Sequence, residues 1–408
     1  MPDRFQNARI LIYSHDSFGL GHLRRCRAIA HSLVDRFKGL SVLILSGSPI
    51  VGSFDYRARV DFVRIPGVIK HHNGEYTSLS LHIDVEQTLA IRSAIIRQTA
   101  EVFAPDLCLV DKEPLGLMGE MRETLAMLKH RGTRLALGLR DVMDDGTMLA
   151  REWERKRVLP ALKELYDDIW IYGLGEIWQT LEGIELPEDV RRKIVYTGYL
   201  PRTVGPAQGV RSQAVPDEPF ILVTPGGGGD GIDMIDWVIS AYEQDPNIPY
   251  HALVVTGPFM PSTRQQDFVN RAAVLDKVHT MTFDAHIETL MKEAVGIVAM
   301  GGYNTFCEIL SLDKPALLVP RSVPRREQLI RARRASEIGL VRMLDGDGPR
   351  DPAEMAEALR VLPDQKRPSS VAIPGLLGGL DTVTRLVKEA VEEQHKRQDV
   401  LPARVHWA

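Results

Sequence analysis

Short apolar runs rich in valine, isoleucine and leucine recur along the chain, separated by longer stretches in which apolar residues return every three or four positions. Runs of that length predict buried strands, and their alternation with helical stretches predicts parallel sheets covered by helices on both faces. In the first half the runs lie at Arg9 to Ser14, Ser41 to Leu45, Asp61 to Ile65, Leu107 to Val110, Arg134 to Leu139, Ile169 to Tyr172 and Ile194 to Thr197. The pattern then lapses. PRTVGPAQGVRSQAVPDEP, residues 201–219, collects proline, glycine and small polar residues, as a linker does. Strand runs resume at Phe220 to Thr224, Ala252 to Thr256, Val278 to Thr282, Val295 to Ala299, Ala316 to Val319 and Val341 to Leu344. Leu380, Val383, Leu386, Val387 and Val391 then stand at helical spacing, which predicts a terminal helix from Gly379 to Gln398 closing the second half. The expected fold is α/β: a Rossmann-like domain over 1–202, a linker over 203–218, a second Rossmann-like domain over 219–375, and a helix and tail over 376–408.

Composition changes this picture little. The 408 residues are 44% hydrophobic and 25% charged with a formal charge of -4, so the chain can bury large cores and has no overall basic field to draw nucleic acid. Three cysteines, Cys26, Cys108 and Cys307, lack the spacing of a zinc site and are too few for a disulfide framework. The N-terminal sequence runs straight into a strand, and no stretch reaches the roughly 18 apolar residues of a membrane span, so a cytoplasmic location is expected.

Three loops carry candidate chemistry. After the first strand, SHDSFGLGHLRRCRAIAHSL puts Gly19 and Gly21 in a turn and His22 where a helix begins. Glycines allow close backbone approach and a helix N-terminus offers free N–H groups. The third glycine of a dinucleotide fingerprint is absent, with Arg24 or Arg25 near its place, which argues against NAD. His22 is a candidate general base, or alternatively only a cap on that helix. The second domain opens with FILVTPGGGGDG, whose Gly227, Gly228 and Gly229 suit backbone contact with a ligand. It lacks the GK[ST] ending of an ATPase loop. The third block is GIVAMGGYNTFCEIL. Gly301 and Gly302 form the turn, Asn304 or Thr305 caps the next helix, and Glu308 either closes a capping box or accepts from a ribose diol. Beyond it, Arg321, Arg325, Arg326, Arg331, Arg333 and Arg334 accompany Gln328. Some of these arginines suit a diphosphate, and most are expected on a solvated face. Asp111, Glu113 and Asp141, at the carboxyl ends of strands, are alternative bases or acceptor contacts, or structural turn carboxylates. The adjacent His71 and His72 lack the spacing of a helical metal pair, and no metal ligand set is expected.

Together GLGH, TGYLPR (197–202), the glycine-rich loop and the GGYNTFCEIL to EQLIRA block resemble the GT-B glycosyltransferases. The closest branch holds the N-acetylglucosaminyltransferase of peptidoglycan lipid synthesis and the UDP-sugar hydrolase of pseudaminic acid synthesis. The resemblance implies two domains facing across a cleft, with the acceptor on the first and the donor nucleotide on the second. It implies that the glycine turn and helix N-terminus hold a diphosphate, that Glu308 binds the ribose, that Gln328 helps to hold the donor and that His22 is the base. Gly19, Gly21 and Arg321 fall in the acceptor or phosphate loops. An inverting, metal-independent transfer from a nucleoside-diphosphate sugar, UDP-linked, to an acceptor hydroxyl follows, with no cofactor beyond the donor. The partners are then the nucleotide-sugar and an acceptor the sequence does not identify; nucleic acid is not among them, and a membrane surface remains open as a peripheral contact. A nucleotide-sugar hydrolase, a 2-epimerase and a non-catalytic nucleotide-binding relative are the alternatives on the same fold.

Overall fold

A computed structural model describes residues 5, 7–15, 21–70, 75–204, 212, 214–226, 229–284 and 286–400, with the backbone alone at 70 and 397–400. The first half supplies β1 (Arg9–Ser14), β2 (Ser41–Ser46), β3 (Val60–Arg64), β4 (Val68–Lys70), β5 (Tyr76–Ser78), β6 (Leu107–Asp111), β7 (Arg134–Arg140), β8 (Asp168–Tyr172) and β9 (Ile194–Tyr196). The second supplies β10 (Phe220–Thr224), β11 (His251–Val255), β12 (Val278–Met281), β13 (Gly296–Ala299), β14 (Ala316–Leu318) and β15 (Arg342–Met343). The first parallel sheet runs β3-β2-β1-β6-β7-β8-β9, and the second runs β12-β11-β10-β13-β14-β15. The central strands β6 and β10 are buried along their whole length, which is why they read as unbroken apolar runs. The short antiparallel pair β4–β5 was not anticipated.

In each sheet the order reverses beside its first strand, between β1 and β6 and between β10 and β13. Open α/β sheets bind ligands beyond the carboxyl ends of strands at such switch points. The helix Gly21–Arg36 starts at the first switch point and Tyr303–Ser311 at the second, and the two helices touch.

The terminal helix, Gly379–Val400, does not complete the second half as expected. It lies along Gly21–Arg36 and β6 of the first, with Ser32 Oγ 3.3 Å from Thr384 Oγ1 and Arg134 donating to Glu393 at 3.0 Å. Its stripe of Val383, Val387 and Val391 shares one apolar core with Ile29 and Leu33, and the same core continues through Tyr303 and Phe306. The chain therefore crosses between the halves twice. The crossings meet where the Tyr199 N–H donates to the Leu376 carbonyl at 2.8 Å and the Gly379 N–H to the Tyr199 carbonyl at 3.1 Å. The Tyr199 ring stacks on Tyr303, and its hydroxyl donates to Asp141 at 3.0 Å.

Candidate active site

A cleft of about 380 Å³ lies between the two sheets. Gly21 and His22 follow β1, Arg140 ends β7, Thr224 to Gly226 follow β10, Gly302 to Thr305 follow β13, and Arg321, Glu327 and Gln328 follow β14; all line it. That volume falls within the range of small-molecule sites, about 300–1,000 Å³.

His22 faces the cleft from the first turn of its helix. Its Nδ1 makes a short hydrogen bond to Oδ2 of Asp111, the last residue of β6. Asp111 is held in turn by Arg25, one helical turn after His22, whose Nε and Nη2 donate to its two oxygens at 2.8 and 2.7 Å. Burial alone would raise the Asp111 carboxyl, but Arg25 and His22 outweigh it and hold the group well below the usual carboxylate range. Burial pushes the His22 imidazole down, Asp111 opposes, and Arg25 and Lys112 add to the lowering. A neutral imidazole whose Nδ1–H is given to a carboxylate keeps its Nε2 lone pair free, which is the arrangement of a general base. Asp111 is thus buried and doubly paired, and what it does here is orient the His22 ring.

On the opposite wall, Gly301 takes φ 80°, and a Cβ there would stand 3.0 Å from Leu318 Cδ1, so the turn requires glycine. Gly302 ends the loop and the helix begins at Tyr303 without a side-chain cap. This corrects the expected role of Asn304 and Thr305. Asn304 instead donates to the Gly21 carbonyl at 2.9 Å and accepts from Arg202 at 2.8 Å, tying the two walls together, while Thr305 faces the cleft. No capping box forms either: Glu308 is 1% exposed, with Arg24 of the first domain 2.8 Å from its Oε1, and Glu288 also pairs with Arg24. Burial raises the Glu308 carboxyl, Arg24 lowers it and Glu288 raises it. Gln328 lines the cleft, its Oε1 3.4 Å from the Arg321 N–H. Arg321 reaches Asp230 at 2.5 Å and Glu327 at 3.1 Å, bracing the glycine-rich loop from which Gly229 faces the cavity.

Asp141 stands away from the reacting space. It is 2% exposed and takes a two-pronged pair from Arg331 across the domain boundary, at 2.6 and 2.8 Å, besides the Tyr199 hydroxyl. Its expected role as base or acceptor contact is therefore replaced by a structural one. Arg331 and Arg325 likewise leave the solvated face foreseen for them: Arg331 is buried, and Arg325 pairs with Glu152 of the first domain at 2.9 Å. Glu113 is held by Lys156 at 2.8 Å. Gly19, Gly227, Gly228, His71 and His72 lie outside the described residues. Arg24, Arg25, Arg140 and Glu327 also line the cleft, where their sequence context alone does not place them. The RR pair one residue beyond GLGH was a usable signal for the first two. Among the described residues no group of three or more His, Cys, Asp or Glu is placed to hold a metal ion, and no helix is long and apolar enough to cross a membrane.

Two α/β sheets meeting switch point to switch point across such a cleft make up the GT-B architecture, and the comparisons agree. Residues 220–362 match the glycosyltransferase family 28 C-terminal domain. Similar solved structures include Medicago truncatula UGT71G1 complexed with UDP-glucose, with a TM-score of 0.61 and 14% identity over 96% of this chain and 100% of the other. The glycosyltransferase VinC in complex with dTDP gives 0.58 and 15% over 95% and 100%. Acinetobacter baumannii MurG gives 0.54 and 11% over 95% and 99%. Comparison with curated protein sequences gives no match. The chain therefore has the GT-B fold, and its second domain is similar to the glycosyltransferase family 28 C-terminal domain.

Proposed function

We propose that this protein is a glycosyltransferase that moves a sugar from a nucleoside-diphosphate sugar, UDP-linked, to an acceptor hydroxyl by a single inverting displacement. His22 Nε2 takes the hydroxyl proton as the new C–O bond forms at the anomeric carbon and the bond to the diphosphate oxygen breaks. The leaving diphosphate sits at the Gly301–Gly302 turn and the N-terminus of Tyr303–Ser311, where backbone N–H groups and the helix dipole offset its charge without a required metal. Glu308 accepts from the ribose hydroxyls once Arg24 gives way, and Gln328 holds the donor. The observation that carries the reading is His22, oriented by Asp111 and facing the cleft opposite that helix N-terminus. Support also comes from neighbours of the same fold complexed with UDP-glucose or dTDP.

The test compares wild type with His22→Ala for nucleotide release from UDP- and dTDP-sugars, offered water and a panel of hydroxyl acceptors, alongside UDP binding. A base contributes about 10²- to 10⁴-fold, so turnover falls by that factor while UDP affinity is retained. Equal turnover by the two proteins would remove His22 as the base. If the product is only free sugar, the hydrolase alternative takes its place.

A further inference from the structure

Each arginine lining the cleft is matched by carboxylates except one. Arg24 faces Glu288 and Glu308, Arg25 holds Asp111, and Arg321 reaches Asp230 and Glu327. Arg140, at the carboxyl end of β7, lines the same cavity with its Nε buried and unpartnered, and its guanidinium makes no hydrogen bond or ion pair among the described residues. Across from it Glu327, 4% exposed, has Oε2 unpartnered, yet no ion pair closes between the two. Arg140 is half-buried, and desolvating a cation without closing an ion pair costs folding free energy, a feature associated with functional sites. Burial pushes the Arg140 guanidinium down to about 10, and Glu327, which favours the charge, does not restore it.

Resting on the nucleotide-sugar reading of the cleft, we propose that Arg140 is the receptor for an anionic group, a carboxylate or phosphate, on the substrate at the reacting end of the cleft. One of the two reactants is then acidic beyond the nucleotide diphosphate itself. The diphosphate has its own receptor in the second domain, at the N-terminus of Tyr303–Ser311. Arg140 belongs instead to the first domain, which presents His22, and its facing carboxylate Glu327 directly precedes Gln328. An acid group beside a hydroxyl fits both free atoms: the acid accepts from Arg140 and the hydroxyl donates to Glu327 Oε2. A sugar acid or a sugar phosphate has that chemistry, and it can arrive as the donor's sugar or as the acceptor.

Two titrations separate these sources in wild type, Arg140→Gln and Arg140→Lys. In the first, UDP-glucuronate is compared with UDP-glucose; in the second, inorganic phosphate is added to protein saturated with UDP. An acidic donor sugar predicts that wild type prefers UDP-glucuronate by about tenfold or more, a charge-assisted hydrogen bond's share, and that Arg140→Gln loses the preference while Arg140→Lys keeps part of it. An acidic acceptor predicts phosphate binding to the UDP-saturated wild type that is lost in Arg140→Gln. Because Arg140→Gln removes a half-buried charge that closes no ion pair, its melting temperature holds or rises, and a fold defect is told apart from lost binding. The proposal is overturned if neither titration depends on Arg140, or if Arg140→Gln weakens UDP and UDP-glucose as much as UDP-glucuronate, which would make the residue a diphosphate ligand. Should wild type bind no UDP, the nucleotide reading fails on its own. Phosphate is then titrated without nucleotide, and equal binding by wild type and Arg140→Gln overturns the Arg140 proposal separately.

Discussion

Replacing Arg331 by Met tests whether the two halves are held by a buried charge pair. Arg331 and Asp141 are 2% exposed each, 190 residues apart in sequence, and bonded through two nitrogens and two oxygens at 2.6 and 2.8 Å. Arg331 Nη1 also donates to the Gly301 carbonyl at 2.9 Å, so the glycine turn is tied to the same lock. Removing one partner leaves the other charged and buried, a loss of about 3–5 kcal/mol. For a domain of this size that corresponds to a melting temperature lower by roughly 6–20 °C. Asp141→Leu removes the charge, leaving Arg331 uncompensated, and is expected to lose a comparable amount. The double variant Asp141→Leu/Arg331→Met removes both charges. Its loss is expected to fall well short of the sum, with a coupling of about 3 kcal/mol, because exchanging a buried pair for apolar groups is often near neutral. The assay is thermal melting of the four proteins followed by circular dichroism and tryptophan fluorescence. Additive losses, or a single-variant change of less than about 1 kcal/mol, would refute the reasoning, since that is what an exposed pair contributes.

Acid destabilisation follows from three histidines. His15 and His22 are pushed down mainly by burial, and His31 is held at about 4 by burial with Arg27 and Arg57. The unfolded chain binds protons at these groups below about 6.5 while the folded chain does not. Stability is thus complete above pH 6.5 and declines toward pH 4, which urea midpoints across that range measure, with His31→Gln flattening the slope. Glu308, whose carboxyl is raised, works in the opposite direction over part of the range. In catalysis, the lowered His22 predicts that kcat/KM rises with pH to a plateau reached below neutrality, and a rise centred above pH 7 would count against a neutral buried base. Gly301→Ala forces a side chain into φ 80° against Leu318; a loss of about 1–3 kcal/mol is expected, together with weaker UDP binding as the turn shifts, measured by melting and calorimetry.

The strands were legible because a parallel strand buried on both faces reads as a nearly unbroken apolar run, as in FILV of β10 and LCLV of β6. β4 and β5 were not, being three residues each with no run long enough to read. The terminal helix was visible from its spacing, but its partner was not, since periodicity names the apolar stripe and not the surface that covers it. The same limit governs the site. Gly21, His22, Gly302, Thr305, Glu308 and Gln328 could be singled out from local turn and helix-start chemistry, and they line one cleft. What lay beyond reach was pairing over distance: Asp111 with His22 and Arg25, Asp141 with Arg331, and Asn304 with Gly21. Local rules gave Asn304 a capping role, but tertiary contact claimed its amide for the domain boundary.

The most direct measurement is a calorimetric titration of UDP into wild type and Glu308→Ala. One site per chain is expected in wild type, with an affinity at least about tenfold weaker in the variant, the share of a carboxylate accepting from a ribose diol. No binding to wild type, or equal binding by a folded Glu308→Ala protein, would contradict the placement of a nucleotide in this cleft.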